Sequence, residues 1–263
     1  MADTLEILKT NLPQALWETF FMVGTSAIIG VVFGLLIGLV LFLVGSNLFH
    51  KNVFLHHLAD FVVNAIRSLP FLILLITLIP LSAVLIGDPY TPAGGAIALS
   101  IAAIPFYARI AESAFAEIDY GVLEASVASG ASTGQVIREV ILPESLPALI
   151  RGFVLTLISL LGYSAMVGTI GAGGIGDLAI QYGYYRYETA ILIVVILLLI
   201  LLVQIIQWVG DACANHSQNN TQRFVVPFRI HLSYRFCYYS TEAIFFTYRS
   251  LIFGCTTSGF SVC

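Results

Sequence analysis

Charge is scarce in this chain. Of 263 residues only 10% are Asp, Glu, Lys or Arg, whereas 59% are hydrophobic, and mean hydropathy is +0.95. Soluble domains carry about 25% charged residues, so a water-soluble fold is excluded and lipid is the expected solvent. Lysine is almost missing: Lys9 and Lys51 are the only two. A phosphate-binding P-loop needs a lysine within GxxxxGK[ST], and neither lysine has that setting. This chain therefore hydrolyses no nucleotide by that route, and no catalytic residue is expected in it. Basic runs of the kind that bind nucleic acid are also missing. The first 210 residues hold no cysteine. Cys213, Cys237, Cys255 and Cys263 form no CxxC pair or zinc spacing, and no metal site is expected. His50, His56 and His57 cluster between spans and read as a solvated loop. Residues 1–16, with Asp3, Glu6 and Lys9, lack the basic start and apolar core of a cleavable leader.

Long apolar runs are what the chain does have. At about 20 residues per crossing, five are expected: Trp17–Val44, Leu58–Ile86, Ala93–Glu117, Ser145–Ile170 and Thr189–Gly210. The fold class is thus an all-α polytopic membrane protein. In the first run, Gly24, Gly30, Gly34 and Gly38 repeat at a spacing near four, the stripe that lets a second helix approach closely. Pro70 predicts a kink in the second. Lys51, Arg67, Arg109, Arg138, Arg151 and the tail arginines fall on one side of a five-span topology, and only Lys9 and Arg186 on the other. The positive-inside rule then puts the amino terminus outside and the carboxyl terminus and the 118–144 loop in the cytoplasm. The permease body is expected to end near residue 212. Residues 213–263, with a polar run and scattered aromatics, are expected to be irregular.

The 118–144 loop is the most informative stretch. Val122, Leu123 and Val127 give a first short helix an apolar side. Gly130 suits a left-handed helix end, and Ser132 with Gln135 suits a capping box opening a second helix. Val136, Ile137, Val140 and Ile141 share one face of that helix, opposite Arg138 and Glu139, and Pro143 is expected to stop it. The result is a helical elbow whose apolar stripe is expected to be exposed and to seek a partner. An interfacial helix lying on the bilayer is the alternative.

Glu124-Ala125-Ser126, Gly130 six residues after the glutamate, and Leu142-Pro143 resemble the EAA loop of bacterial ABC-importer permeases. Ser126 stands where that loop usually has a second alanine, and Val140 replaces an isoleucine. Arg67-Ser-Leu-Pro-Phe71, Ala103-Ile-Pro-Phe106, Leu161-Gly-Tyr-Ser-Ala-Met166, Gly171–Gly176 and Gln181-Tyr-Gly-Tyr184 narrow the resemblance to methionine-importer permeases, over about residues 10–212. It implies a homodimer in the bacterial inner membrane, two cytoplasmic ATPase subunits holding ATP and magnesium, and an external substrate-binding protein, with no cofactor in this chain. It also implies a coupling role for Glu124, Ala125, Gly130, Val140, Leu142 and Pro143. Tyr163, Ser164 and Met166 interrupt the aliphatic fourth span and are candidate pathway residues, with serine bonding back to its own helix as the alternative. Arg67 and Arg109 are expected to snorkel or to pair with Glu112 or Glu117. Gly171–Gly176 fits GxGxxG, but a membrane helix precedes it rather than a strand, so it reads as a flexible external turn. An ion-coupled secondary amino-acid transporter is the competing function. Such a transporter usually shows ionisable groups at mid-membrane.

Overall fold

The computed structural model describes residues 2–218 apart from 47, 50 and 51. Every regular element among them is helical. α1 runs from Ala2 to Gly45, α2 from Val53 to Ser68, α3 from Phe71 to Ile86 and α4 from Pro92 to Ala116. α5 covers Tyr120–Ala128, α6 Thr133–Val136, α7 Leu142–Val167 and α8 Gly174–Leu178. α9 spans Thr189–Gln218.

Four stretches are long and apolar enough to cross a membrane unbroken: Glu6–Gly45, Pro92–Ala116, Thr133–Ile170 and Thr189–Gln218. The fifth expected span is not one rod. α2 and α3 meet at 103°, so the kink predicted at Pro70 is a break. Its cause is local. Pro70 has no N–H to donate and disfavours helical geometry at the residue before it. Leu69 accordingly sits at ψ 130 and caps α2, while Pro70, at ψ 134, opens α3. Pro80 and Pro105, by contrast, are carried within α3 and α4. His56 and His57 lie in the first turns of α2, not in a loop, with ring centroids 5.9 Å apart. His50 is outside the described residues.

α1 and α4 form the longest contact in the fold, and the glycine stripe makes it. A Cβ on Gly30 would fall 2.5 Å from the Ala103 Cβ, one on Gly34 2.8 Å from the Ile104 carbonyl oxygen, and one on Gly38 2.5 Å from that of Ala108. Gly24 has no neighbour within 4 Å and takes no part.

Among the described residues three buried clusters follow α1, two of them shared with α4. Ala15 on α1 packs with Ile175, Leu178, Ile191 and Val195. Met22, Val23 and Ala27 pack with Leu99, Ala103, Leu160 and Val167. Tyr107 and Phe115 on α4 pack with Leu123, Val136, Ile141 and Leu149. The remaining apolar surface faces outward. Phe33, Leu36, Ile196, Leu197, Ile200 and Leu201 are all exposed, as lipid-facing side chains must be.

Two segments are more regular than expected. The glycine-rich stretch after α7 is not a free turn. Ala172 and Ile175 are buried, and α1 closes over it. The Gly174 N–H donates to Glu18 Oε2 at 2.7 Å, and the Ile175 N–H to Thr19 Oγ1 at 2.9 Å. Gly173 and Gly174 hold φ of +84 and +86, a conformation side-chain-bearing residues rarely adopt. Asp177 sits on the first turn of α8, and burial raises its carboxyl pKa, with Glu18 adding repulsion. The second segment is the start of the tail. α9 continues past Cys213 to Gln218, because residues 213–218 contain neither proline nor glycine to end it. The rest of the expected irregular tail, 219–263, lies outside the described residues.

Candidate functional site

The elbow between α4 and α7 takes the two-helix form that its sequence predicts. Asp119 caps α5, its Oδ1 accepting from the Gly121 N–H at 2.8 Å. Ser129 caps the end of α5, and Gly130 turns the chain with φ +85. The capping box of Ser132 with Gln135 then opens α6, the Ser132 N–H donating to Gln135 Oε1 at 2.9 Å.

Beyond Val136 the chain departs from the expected stop. α6 runs into a π turn, Ile137–Ile141, where the Leu142 N–H donates to the Ile137 carbonyl. α7 begins at once, so Thr133–Ile170 is a continuous 38-residue helical run. Pro143 does not stop the helix. It occupies the first turn of α7, and the wider π turn accommodates the carbonyl of Glu139 that a proline four residues on cannot serve.

The apolar stripe is also not exposed. Val136 and Ile141 are fully buried, and Ile137 and Val140 pack against the same cluster around Phe115 and Leu123. The helical period identified the right face, but that face meets the end of α4. The elbow is therefore fixed to the membrane domain by its own core. Tyr107 reinforces the mount, its hydroxyl donating to the Leu149 carbonyl at 3.2 Å.

The outward surface of the elbow is what remains. Glu124, Gly130 and Pro143 are exposed, Ala125, Val140 and Leu142 half-buried. Tyr120 and Val127, which sequence reasoning passed over as contact residues, are exposed beside Glu124. Ser126 points inward. Its Oγ donates to the Val122 carbonyl at 2.7 Å, so a serine in place of alanine satisfies its own hydroxyl and leaves the outer face unchanged.

The three pathway candidates do not converge. Ser164 is buried and donates to the Leu161 carbonyl at 2.8 Å, the helix back-bond. Met166 is exposed. Tyr163 stacks on Phe71 at the α2–α3 break, centroids 4.6 Å apart and rings 11° from parallel. Arg109 pairs with Glu112 at 2.6 Å, as the residues allowed, and also with Asp60 on α2. Asn64 Oδ1 accepts a further bond from it at 2.9 Å. Asp60 was missed because only folding brings α2 beside α4. Arg67 lies with its guanidinium 5.9 Å from the centre of the Phe106 ring.

This architecture has known counterparts. Residues 30–214 match the family described as binding-protein-dependent transport system inner membrane component. The methionine import system permease protein MetP of Bacillus subtilis strain 168 is 40% identical over 206 residues, covering 78% of this chain and 93% of that one. The D-methionine transport system permease protein MetI of Escherichia coli K12 is 41% identical over 157 residues, 60% of this chain and 72% of that one. A crystal form of the inward-facing MetNI methionine ABC transporter superposes with a TM-score of 0.79 at 39% identity, covering 81% of this chain and 98% of its counterpart. With a family match across most of its length and an elbow mounted between two of its membrane helices, the chain belongs to the inner-membrane components of binding-protein-dependent transport systems.

Proposed function

We propose that this chain is the permease subunit of an ATP-driven methionine importer, acting as a homodimer with two cytoplasmic ATPase subunits and an external substrate-binding protein. ATP and magnesium are held by the ATPase partners, and no cofactor resides in this chain. The amino terminus lies outside and the elbow in the cytoplasm of a bacterial cell, in line with the distribution of lysine and arginine. Residues 1–212 form the transport body.

The observation that carries this reading is the elbow. It is a short helix with an exposed carboxylate, Glu124, held on a buried apolar mount that is continuous with a membrane-crossing helix. A motor subunit that grips α5 would contact Glu124, Tyr120 and Val127, with Gly130 setting the angle of the grip. Glu124 supplies a charge-assisted bond to a basic group of the ATPase. Val140 and Leu142 pack on the mount, half-buried Ala125 lies beside the contact, and Pro143 fixes the register of the helix that carries motion into the bilayer. ATP binding closes the ATPase pair, the docked elbows move with it, and the spans exchange inward-open and outward-open states.

The test is reconstitution in proteoliposomes with the ATPase and the binding protein. Glu124→Gln is expected to lower binding-protein-stimulated hydrolysis and uptake about ten-fold, the scale of one lost charge-assisted bond. Uptake left intact by Glu124→Gln and Gly130→Ala together would refute the coupling role. Uptake without nucleotide would support an ion-coupled transporter instead.

A further inference from the structure

The α2–α3 break opens a cavity of about 140 Å³ whose rim carries Arg67 and whose walls include Phe71, Leu74, Ala102, Phe106 and Tyr163. Ala102 and Phe106 fall near the middle of the 25-residue α4, so the cavity lies at membrane depth. Arg109, the other arginine of this region, is neutralised by Asp60 and Glu112. Arg67 has no carboxylate partner among the described residues, and its guanidinium lies over the Phe106 ring face. Arg67 is exposed in the last turn of α2, free to meet a ligand, and a guanidinium is the group best shaped to take a carboxylate in two parallel bonds. Phe71 and Tyr163, also in the lining, form a stacked aromatic pair, a surface that favours thioether sulfur at ring edges. A volume of about 150 Å³ has room for a benzene-sized group. One amino-acid side chain therefore fits, with its carboxylate at the rim.

The structure assigns this cavity as an intramembrane binding site for an apolar α-amino acid, with Arg67 holding the carboxylate and the Phe71–Tyr163 pair the side chain. It rests on the importer reading and adds to it the place where the permease itself holds its cargo.

The measurement is equilibrium dialysis of the detergent-purified permease–ATPase complex, without binding protein, against labelled methionine and against methionine amide, which lacks the carboxylate. The wild type should prefer methionine by about ten- to a hundred-fold, the range of a charge-assisted pair. Arg67→Gln should abolish that preference and Arg67→Lys retain part of it. Phe71→Ala should weaken both ligands equally. Elution of each variant complex at the wild-type position on size exclusion checks its folding. An unselective or undetectable wild-type interaction, or unchanged methionine binding in Arg67→Gln, overturns the assignment. So does loss of a co-purifying anionic lipid from Arg67→Gln, seen by native mass spectrometry, with methionine binding unaffected. Uptake in wild-type proteoliposomes separates the two levels. If uptake fails, the importer reading falls. If uptake stands while Arg67→Gln leaves it unchanged, only this site falls.

Discussion

Two glycines on α1 provide a test in which the same substitution should have opposite effects. Alanine at Gly38 would place its Cβ 2.5 Å from the Ala108 carbonyl oxygen and 2.8 Å from the Ala111 Cβ. Both are about 1 Å inside the separation at which heavy atoms attract. The obstacle at Ala108 is backbone, so relief requires α1 and α4 to move apart. Overpacking of this kind costs about 1–3 kcal/mol. Alanine also gains about 1 kcal/mol over glycine in a helix interior, so Gly38→Ala should destabilise by up to about 2 kcal/mol. At Gly24 no atom lies within 4 Å, the overpacking cost is absent, and Gly24→Ala should stabilise by about 0.5–1 kcal/mol. Intrinsic helix preference cancels in the difference between the variants, which isolates the α1–α4 contact at about 1–3 kcal/mol. The assay is unfolding of the purified protein in mixed micelles with increasing denaturing detergent, monitored by tryptophan fluorescence. Two variants that unfold within a few tenths of a kcal/mol of each other would show that the close approach at Gly38 does not hold the helices together.

Three further outcomes are expected. Gly130→Ala forces a side chain into φ +85 and should cost about 1–2 kcal/mol; faster limited proteolysis between α5 and α6 would show it, and an unchanged cleavage rate would contradict it. Asp60→Asn and Arg109→Gln should each destabilise the fold, with a coupling of about 1 kcal/mol in a double-mutant cycle; additive losses would mean the pair adds nothing. Asp177 has its pKa raised by burial, so the folded state holds that proton to higher pH than the unfolded chain. Stability should fall as pH rises from the ordinary carboxylate range through the raised value. Asp177→Asn should therefore raise the melting temperature at neutral pH and leave it unchanged below about pH 4, the ordinary carboxylate range, and an identical pH profile in the variant would exclude the effect.

Much of the architecture was legible because lipid imposes simple rules. A run such as Phe20–Val44 without charge can only cross or be buried, and the α4–α7 elbow announces itself through residues with local mechanisms. Gly130, Ser132 and Gln135 act on their own backbone, so sequence suffices for them. The misjudged features all depend on partners distant in the chain. The period of Val136, Ile137, Val140 and Ile141 states which residues share a face, but not that Phe115 and Leu123 cover it. Pro70 signals a disturbance, but not that α2 comes to lie beside α4, where Asp60 and Asn64 meet Arg109. Gly171–Gly176 looks open until Glu18 and Thr19 arrive from 156 residues away. Glu18 did leave a trace, as the last carboxylate before the long uncharged stretch of α1. Ser164 was ambiguous from sequence because a hydroxyl in a membrane helix can bond to its own backbone or face a cavity, and its bond to Leu161 is what distinguishes the two.

The unbroken course from Thr133 to Ile170 has a mechanical consequence. Thirty-eight residues at 1.5 Å each make a shaft about 57 Å long, with α5 and Gly130 at one end and the glycine-rich turn pinned by Glu18 at the other. A tilt of about 10° about its midpoint would swing each end by about 5 Å in opposite directions. A push delivered at one membrane face would then emerge at the other as an equal and opposite displacement, with the π turn at Ile137–Ile141 as the compliant point that sets how much of the push is lost.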